Sequence, residues 1–282
     1  MKQPITYLDL KKYKRFFAFG CSFTHYFWPT WADIIGREIP YYENWGKGAA
    51  GNQFIFNSII ECNLRNKFNE DDLVIAMWSS CSREDRYLNG NWLVAATDNR
   101  DDVYGKSWMD KFGKEGKGNM IRDFASISAI QQILENGKSD WINFNGPPLI
   151  RFNIDKASDD INKKIITLDE IEKKWASLQK DLSLGKNVVD YYIEGEDVID
   201  LYRDIFVKIK EPLLDSILKN PNRPNLGDKH PTPNEALNYI NRNLPNSLDA
   251  KEYAEYWTAQ VYKIKTKGVL PIEFTPNNPK RF

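Results

Sequence analysis

The sequence predicts an α/β protein with an open, mostly parallel sheet covered by helices on both faces. Three observations predict it: short uninterrupted apolar runs, amphipathic segments that follow them, and loops rich in Gly and Ser where one gives way to the other. Residues 15–20, Arg15-Phe16-Phe17-Ala18-Phe19-Gly20, read as a buried strand entering a tight turn. Pro29 opens a helix over 31–37, since a missing N–H costs nothing in a first helical turn. Residues 41–45 read as a second strand, followed by a Gly-rich loop and a helix over 52–68. That helix carries Phe54, Ile55, Ser58, Ile59 and Cys62 on one face. Asp72-Leu73-Val74-Ile75-Ala76-Met77-Trp78 is apolar enough for a central strand buried on both sides.

Residues 85–118 are polar and Gly-rich, and are expected to form a loop-rich excursion. Ile121, Phe124, Ile127, Ile130 and Leu134 recur at helical spacing, and 141–144 form a fourth strand stopped by Gly146-Pro147-Pro148. Over 150–220 the pattern changes to charged amphipathic helices, the best at 168–182 and 198–218, the latter kinked or split by Pro212. Thr232 and Glu235 form a capping box for a helix starting at Pro233, and 249–262 is the last helix. The expected organisation is one domain over 1–282, with 85–118 and 150–220 as insertions or elaborations.

Composition removes several function classes. Lys+Arg and Asp+Glu both number 39, so the long-range field that draws a protein to nucleic acid or anionic membrane is missing. No apolar run approaches a membrane span and no apolar stretch follows the N-terminus, so a cytoplasmic location is expected. Cys21, Cys62 and Cys81 are odd in number and far apart, which is no disulfide framework. With two His and no paired cysteines, no metal site is expected. The Gly46–Gly51 loop lacks the Gly-Lys-Ser/Thr ending of a phosphate-binding loop. Trp28, Trp45, Trp78, Trp92 and Trp108 fit either a sugar-stacking surface or the core.

Ligands of open parallel sheets collect at the carboxyl ends of strands. Three such ends carry suggestive loops: Gly20-Cys21-Ser22-Phe23-Thr24, Gly46 to Asn52, and Ser79-Ser80-Cys81-Ser82-Arg83. A fourth loop, Gly227-Asp228-Lys229-His230-Pro231, precedes a helix. A serine nucleophile needs a base within hydrogen-bond reach, and only His25 and His230 exist. Ser22, Asp228 and His230 therefore form the simplest catalytic triad this chain permits, with Asp228 orienting the imidazole. Cys21, next to Ser22, is expected to pack beneath the turn.

These blocks resemble, in order, those of the SGNH/GDSL hydrolase superfamily. Phe19-Gly20-Cys21-Ser22-Phe23-Thr24 with Trp28-Pro29 is similar to the first block, with Cys where Asp is usual. Asn44-Trp45-Gly46-Lys47-Gly48-Ala49-Ala50-Gly51-Asn52 resembles the second, and Asp228-Lys229-His230-Pro231 the last. About thirty residues carry the resemblance. It implies a flavodoxin-like three-layer α/β/α fold and a serine esterase or acylhydrolase that needs no cofactor. Ser22 would be the nucleophile, His230 the base and Asp228 its orienter. Backbone N–H groups of Ser22 and of Gly48 or Gly51 would form the oxyanion hole.

The chain departs from the family pattern twice. The usual third block is Gly-x-Asn-Asp, whereas here Ser79, Ser80 and Arg83 are the candidate replacements for the oxyanion-binding Asn. The acid also stands two residues before the His rather than three. His25, Asn52 and Arg83 are candidate substrate contacts. The expected substrate is a short acyl ester, such as an acetyl group on a glycan. A glycan acyltransferase, or a binding protein that kept the fold without efficient chemistry, is the alternative.

Overall fold

The computed structural model describes residues 1–96, 105–108, 116–150, 196–218, 220, 223, 226, 229–246 and 248–267. Five strands, β1 (Arg15–Phe19), β2 (Tyr41–Asn44), β3 (Asp72–Trp78), β6 (Asp140–Asn145) and β7 (Ile209–Pro212), form one sheet. Their order is β2-β1-β3-β6-β7 and every pairing is parallel. Counting these five strands along the chain, this is the 2-1-3-4-5 order of flavodoxin-like sheets. β3 and β6 are buried at every position, which explains the apolar run over 73–78 and the large apolar side chains of β6.

Alternation along β1 sends Phe16 to one face and Phe17 to the other. On the first face lie α1 (Trp31–Gly36) and α7 (Pro233–Asn243), which touch each other. Trp31 packs on Phe16 at 6.2 Å and on Phe144 at 5.2 Å, and Tyr239 on Phe144 at 5.1 Å. On the second face lie α2 (Asn52–Asn66) and α3 (Gly116–Asn136), again in mutual contact. Phe68, just past α2, meets Phe17 at 5.2 Å. The result is three layers. α8 (Lys251–Lys267) packs on α7.

The caps read from sequence form as expected at α7. Thr232 Oγ1 accepts from the Glu235 N–H, and the Glu235 carboxylate accepts from the Thr232 N–H. α1 has the same reciprocal cap, from Thr30 and Asp33. Asp33 is buried, which pushes its pKa up against the hydrogen bonds that favour its charge.

Two expectations need correction. Residues 83–96, taken partly as loop, contain an antiparallel hairpin of β4 (Arg83–Leu88) and β5 (Asn91–Ala96). Asn89 and Gly90, at φ 51° and 80°, make the left-handed two-residue turn that suits strand twist. Residues 198–218 are no single helix either. α4 (Glu196–Leu201) and α5 (Arg203–Val207) lead into β7, and α6 (Leu213–Leu218) follows it. Ile209–Pro212 is thus the fifth strand of the main sheet, and Pro212 is tolerated because β7 is at the edge. The helix expected over 168–182 lies outside the described residues.

Candidate active site

Ser22 sits in the loop between β1 and α1. Gly20 makes that loop possible: a Cβ there would lie 2.0 Å from Thr24 Oγ1 and 3.0 Å from the Met77 carbonyl. The turn is closed by Thr24 and His25 N–H groups donating to the Cys21 carbonyl at 2.9 and 3.1 Å. The Thr24 carbonyl accepts from Thr30 Oγ1 at 2.7 Å and from Asn44 Nδ2 at 2.8 Å. Cys21 is fully buried in the core, as expected of a residue under the turn. Ser22 remains 7% exposed.

Because α1 and α7 share one face, the loops before them converge. His230 Nε2 lies 2.8 Å from Ser22 Oγ across 208 residues of sequence. A hydroxyl and an imidazole at that distance can pass a proton between them. Arg223 holds the His230 backbone by donating to its carbonyl at 2.8 Å, and also bonds Glu235 at 2.8 Å. Asp228, the expected orienter, lies outside the described residues. His25 is half-buried, and its backbone belongs to the Ser22 turn.

The second loop is stitched to the first. Trp45 N–H donates to the Ala18 carbonyl at 2.7 Å and Lys47 N–H to the Gly20 carbonyl at 3.1 Å, continuing the β1–β2 ladder. Gly46 N–H bonds Asn44 Oδ1 at 2.9 Å. Of the two candidate glycines, Gly51 is committed elsewhere: its N–H donates to Asp85 Oδ1 at 2.9 Å. Gly48 is exposed, and its N–H makes no hydrogen bond among the described residues. Of the two glycines, Gly48 is thus the one whose N–H has no hydrogen-bond partner among the described residues.

Third-loop polar groups are turned inward. The Asn52 amide donates to the Ser79 carbonyl at 2.9 Å and to Asp123 Oδ2 at 2.9 Å, and accepts from the Ser79 N–H at 2.8 Å. It is completely buried, so Asn52 positions the third loop instead of meeting substrate, contrary to expectation. Ser80 Oγ pairs with Ser82 Oγ at 2.9 Å and accepts the Ser82 N–H. Ser79 Oγ has no partner among the described residues but is sealed from solvent, so no substrate oxygen reaches it in this conformation. Arg83 gives a guanidinium N–H to the Ala50 carbonyl at 2.7 Å, tying the third loop to the second.

Beneath these loops runs a buried ionic network that sequence reading missed. Arg122 bonds Glu84, Asp123 Oδ1 at 2.8 Å and the Arg83 carbonyl at 3.0 Å. Asp85 accepts from the Gly51 and Phe54 N–H groups, each at 2.9 Å, so it caps α2 from the hairpin. Burial outweighs those two bonds and pushes its pKa up to about 7. Apart from the adjacent Arg122 and Asp123, these partners lie 31 to 39 residues apart, and no local pattern announces them.

Trp28, Trp45 and Trp78 are buried, and so present no open stacking surface. An open groove of about 340 Å³ lies by β7 and the far end of α7, lined by residues such as Lys210 and Arg242; it includes none of the site residues. Among the described residues no group of His, Cys, Asp and Glu could hold a metal, and no helix is long and apolar enough to cross a membrane. No family model, curated protein or solved structure matches the chain.

Proposed function

We propose that the protein is a serine esterase of the SGNH type that cleaves short acyl esters through an acyl-enzyme on Ser22. The observation that carries this reading is the 2.8 Å approach of His230 Nε2 to Ser22 Oγ at the carboxyl end of a parallel sheet. Ser22 Oγ attacks the ester carbonyl carbon while its proton moves to Nε2. The tetrahedral oxyanion is received by the N–H groups of Ser22 and Gly48. His230 then returns the proton to the departing alkoxide oxygen, leaving the acyl group on Ser22. Water attacks that ester, again losing a proton to His230, and the acid leaves as Ser22 Oγ is reprotonated. Asp228 is assigned the role of holding the imidazole tautomer. Acetyl groups on a glycan are the proposed substrate class.

A second reading is favoured by one observation: the side chains of Asn52, Ser79 and Ser80 are fully buried, so none of these three offers a reachable donor. One missing oxyanion donor costs about 10²–10³ in rate, which suits a binding protein with residual chemistry. Turnover of short-chain nitrophenyl esters tests the esterase reading. Ser22→Ala should lower it by about 10³ or more. Equal rates in wild type and Ser22→Ala would defeat it.

A further inference from the structure

The His230 ring sits in an aromatic frame supplied by the loop that carries Ser22. Tyr26 lies over it with 3.8 Å between ring centroids and 16° between planes. Phe23 meets it at 5.3 Å and 66°. Tyr26 is braced edge-on by Trp28 at 4.5 Å, and the Trp28 indole N–H donates to the Pro231 carbonyl at 2.8 Å. One short segment, 22–28, thus holds the nucleophile, the face of the base and the backbone next to the base.

A near-parallel pair at 3.8 Å places one ring face on the other. A cation over the same face is attracted to it. The stack therefore favours imidazolium over imidazole.

Charged groups also stand near the ring, and Asp228, proposed to hold it, would favour the same protonated form. On the same stretch of chain Lys229 is exposed and Arg223 bonds the His230 carbonyl, its own charge met by Glu235. From α8, Lys265 lies 5.6 Å over the Trp28 ring. The second loop brings Lys47, and the Ser22 turn brings His25. Apart from Glu235 these are cations or neutral, and Asp228 lies outside the described residues.

We propose that Tyr26 is a positioning residue for His230, fixing the imidazole plane so that Nε2 faces Ser22 Oγ and favouring the protonated ring. This rests on the reading of His230 as the base of Ser22, and adds to it a group that touches neither substrate nor the reacting oxygen.

With only two histidines in the chain, the titration of each is readable by proton NMR, and His25→Gln assigns the pair. In the wild type the His230 ring protons should lie upfield of those of His25, displaced by the Tyr26 ring. Tyr26→Leu should lower the His230 midpoint by about half a pH unit, whereas Tyr26→Phe, which keeps the face, should hold it within about 0.2 unit. A merely structural role would change the melting temperature without moving the midpoint. Should Tyr26→Leu not fold, the upfield displacement in wild type and in Tyr26→Phe decides. No such displacement, an unmoved midpoint in Tyr26→Leu, or an equal fall in both variants would overturn the proposal. Absence of ester turnover alongside the expected titration would instead defeat the esterase reading alone.

Discussion

The two sides of the candidate site are built on opposite principles. On the Ser22–His230 side, the loops at the amino ends of α1 and α7 bring a hydroxyl and an imidazole within 2.8 Å, and aromatic rings flank the imidazole. On the Gly46–Asn52 and Ser79–Arg83 side, the polar groups bond mainly to one another: Asn52 to Ser79 and Asp123, Asp85 to the start of α2, Arg83 to Ala50. One side leaves chemistry available. The other uses its polar atoms for rigidity, with Gly48 as its uncommitted donor. On the proposed reading, nucleophile and base are kept while the side expected to stabilise the oxyanion serves as scaffold, and activity depends on how few donors suffice.

The largest expected effect comes from the scaffold side. Asn52→Leu would leave the Ser79 backbone N–H and carbonyl and one Asp123 oxygen without their buried partner. Loss of about 3 kcal/mol or more is expected in urea unfolding. A loss under about 1 kcal/mol would mean that the network is slack. Next comes Gly20→Ala, whose Cβ would meet Thr24 Oγ1 at 2.0 Å. It should cost about 1–3 kcal/mol, as overpacking does, and disturb the Ser22 turn. Wild-type stability with wild-type turnover would show that the turn yields.

Asp85 gives the comparison a pH signature. Burial raises its folded pKa to about 7, against about 4 for an unfolded carboxylate. The proton-linked contribution to stability is full below about pH 4 and is lost as pH rises through about 7. Wild-type protein should therefore lose more stability between pH 4 and 7 than Asp85→Asn, which binds no proton there. Urea midpoints across that range measure it; parallel curves would remove Asp85 as the titrating group. The smallest effect belongs to Gly48→Ala. Nothing lies within 4 Å of the added Cβ, and the N–H is kept. Stability should change by less than about 0.5 kcal/mol, and ester turnover by less than about twofold. A large loss of turnover at unchanged stability would show that the Cβ blocks the approach to that N–H.

What could be read from the chain follows from where each signal is stored. β1 and β3 are announced by the apolar runs over 16–19 and 73–78, because both faces of a central parallel strand are buried. The α7 cap is local, spanning Thr232 to Glu235, and so is visible as a spacing. The hairpin was hidden because β4 begins Arg83-Glu84-Asp85-Arg86, whose acids point into a buried network that only the folded chain assembles. β7 was hidden because an edge strand of Ile209–Pro212 has half-exposed Lys210 and exposed Glu211, the composition of a helix face. At the site, Ser22 and His230 were legible because histidine is scarce. The duty of Asn52 was not, since Asp123 stands 71 residues away. Tyr26 carries no local signal at all.

A fluorophosphonate probe tests the pairing of Ser22 with His230 most directly. At neutral pH it should add one adduct per chain, on Ser22 Oγ, and His230→Ala should suppress the reaction. Labelling of another residue, or unchanged labelling of Ser22 after His230→Ala, would contradict it.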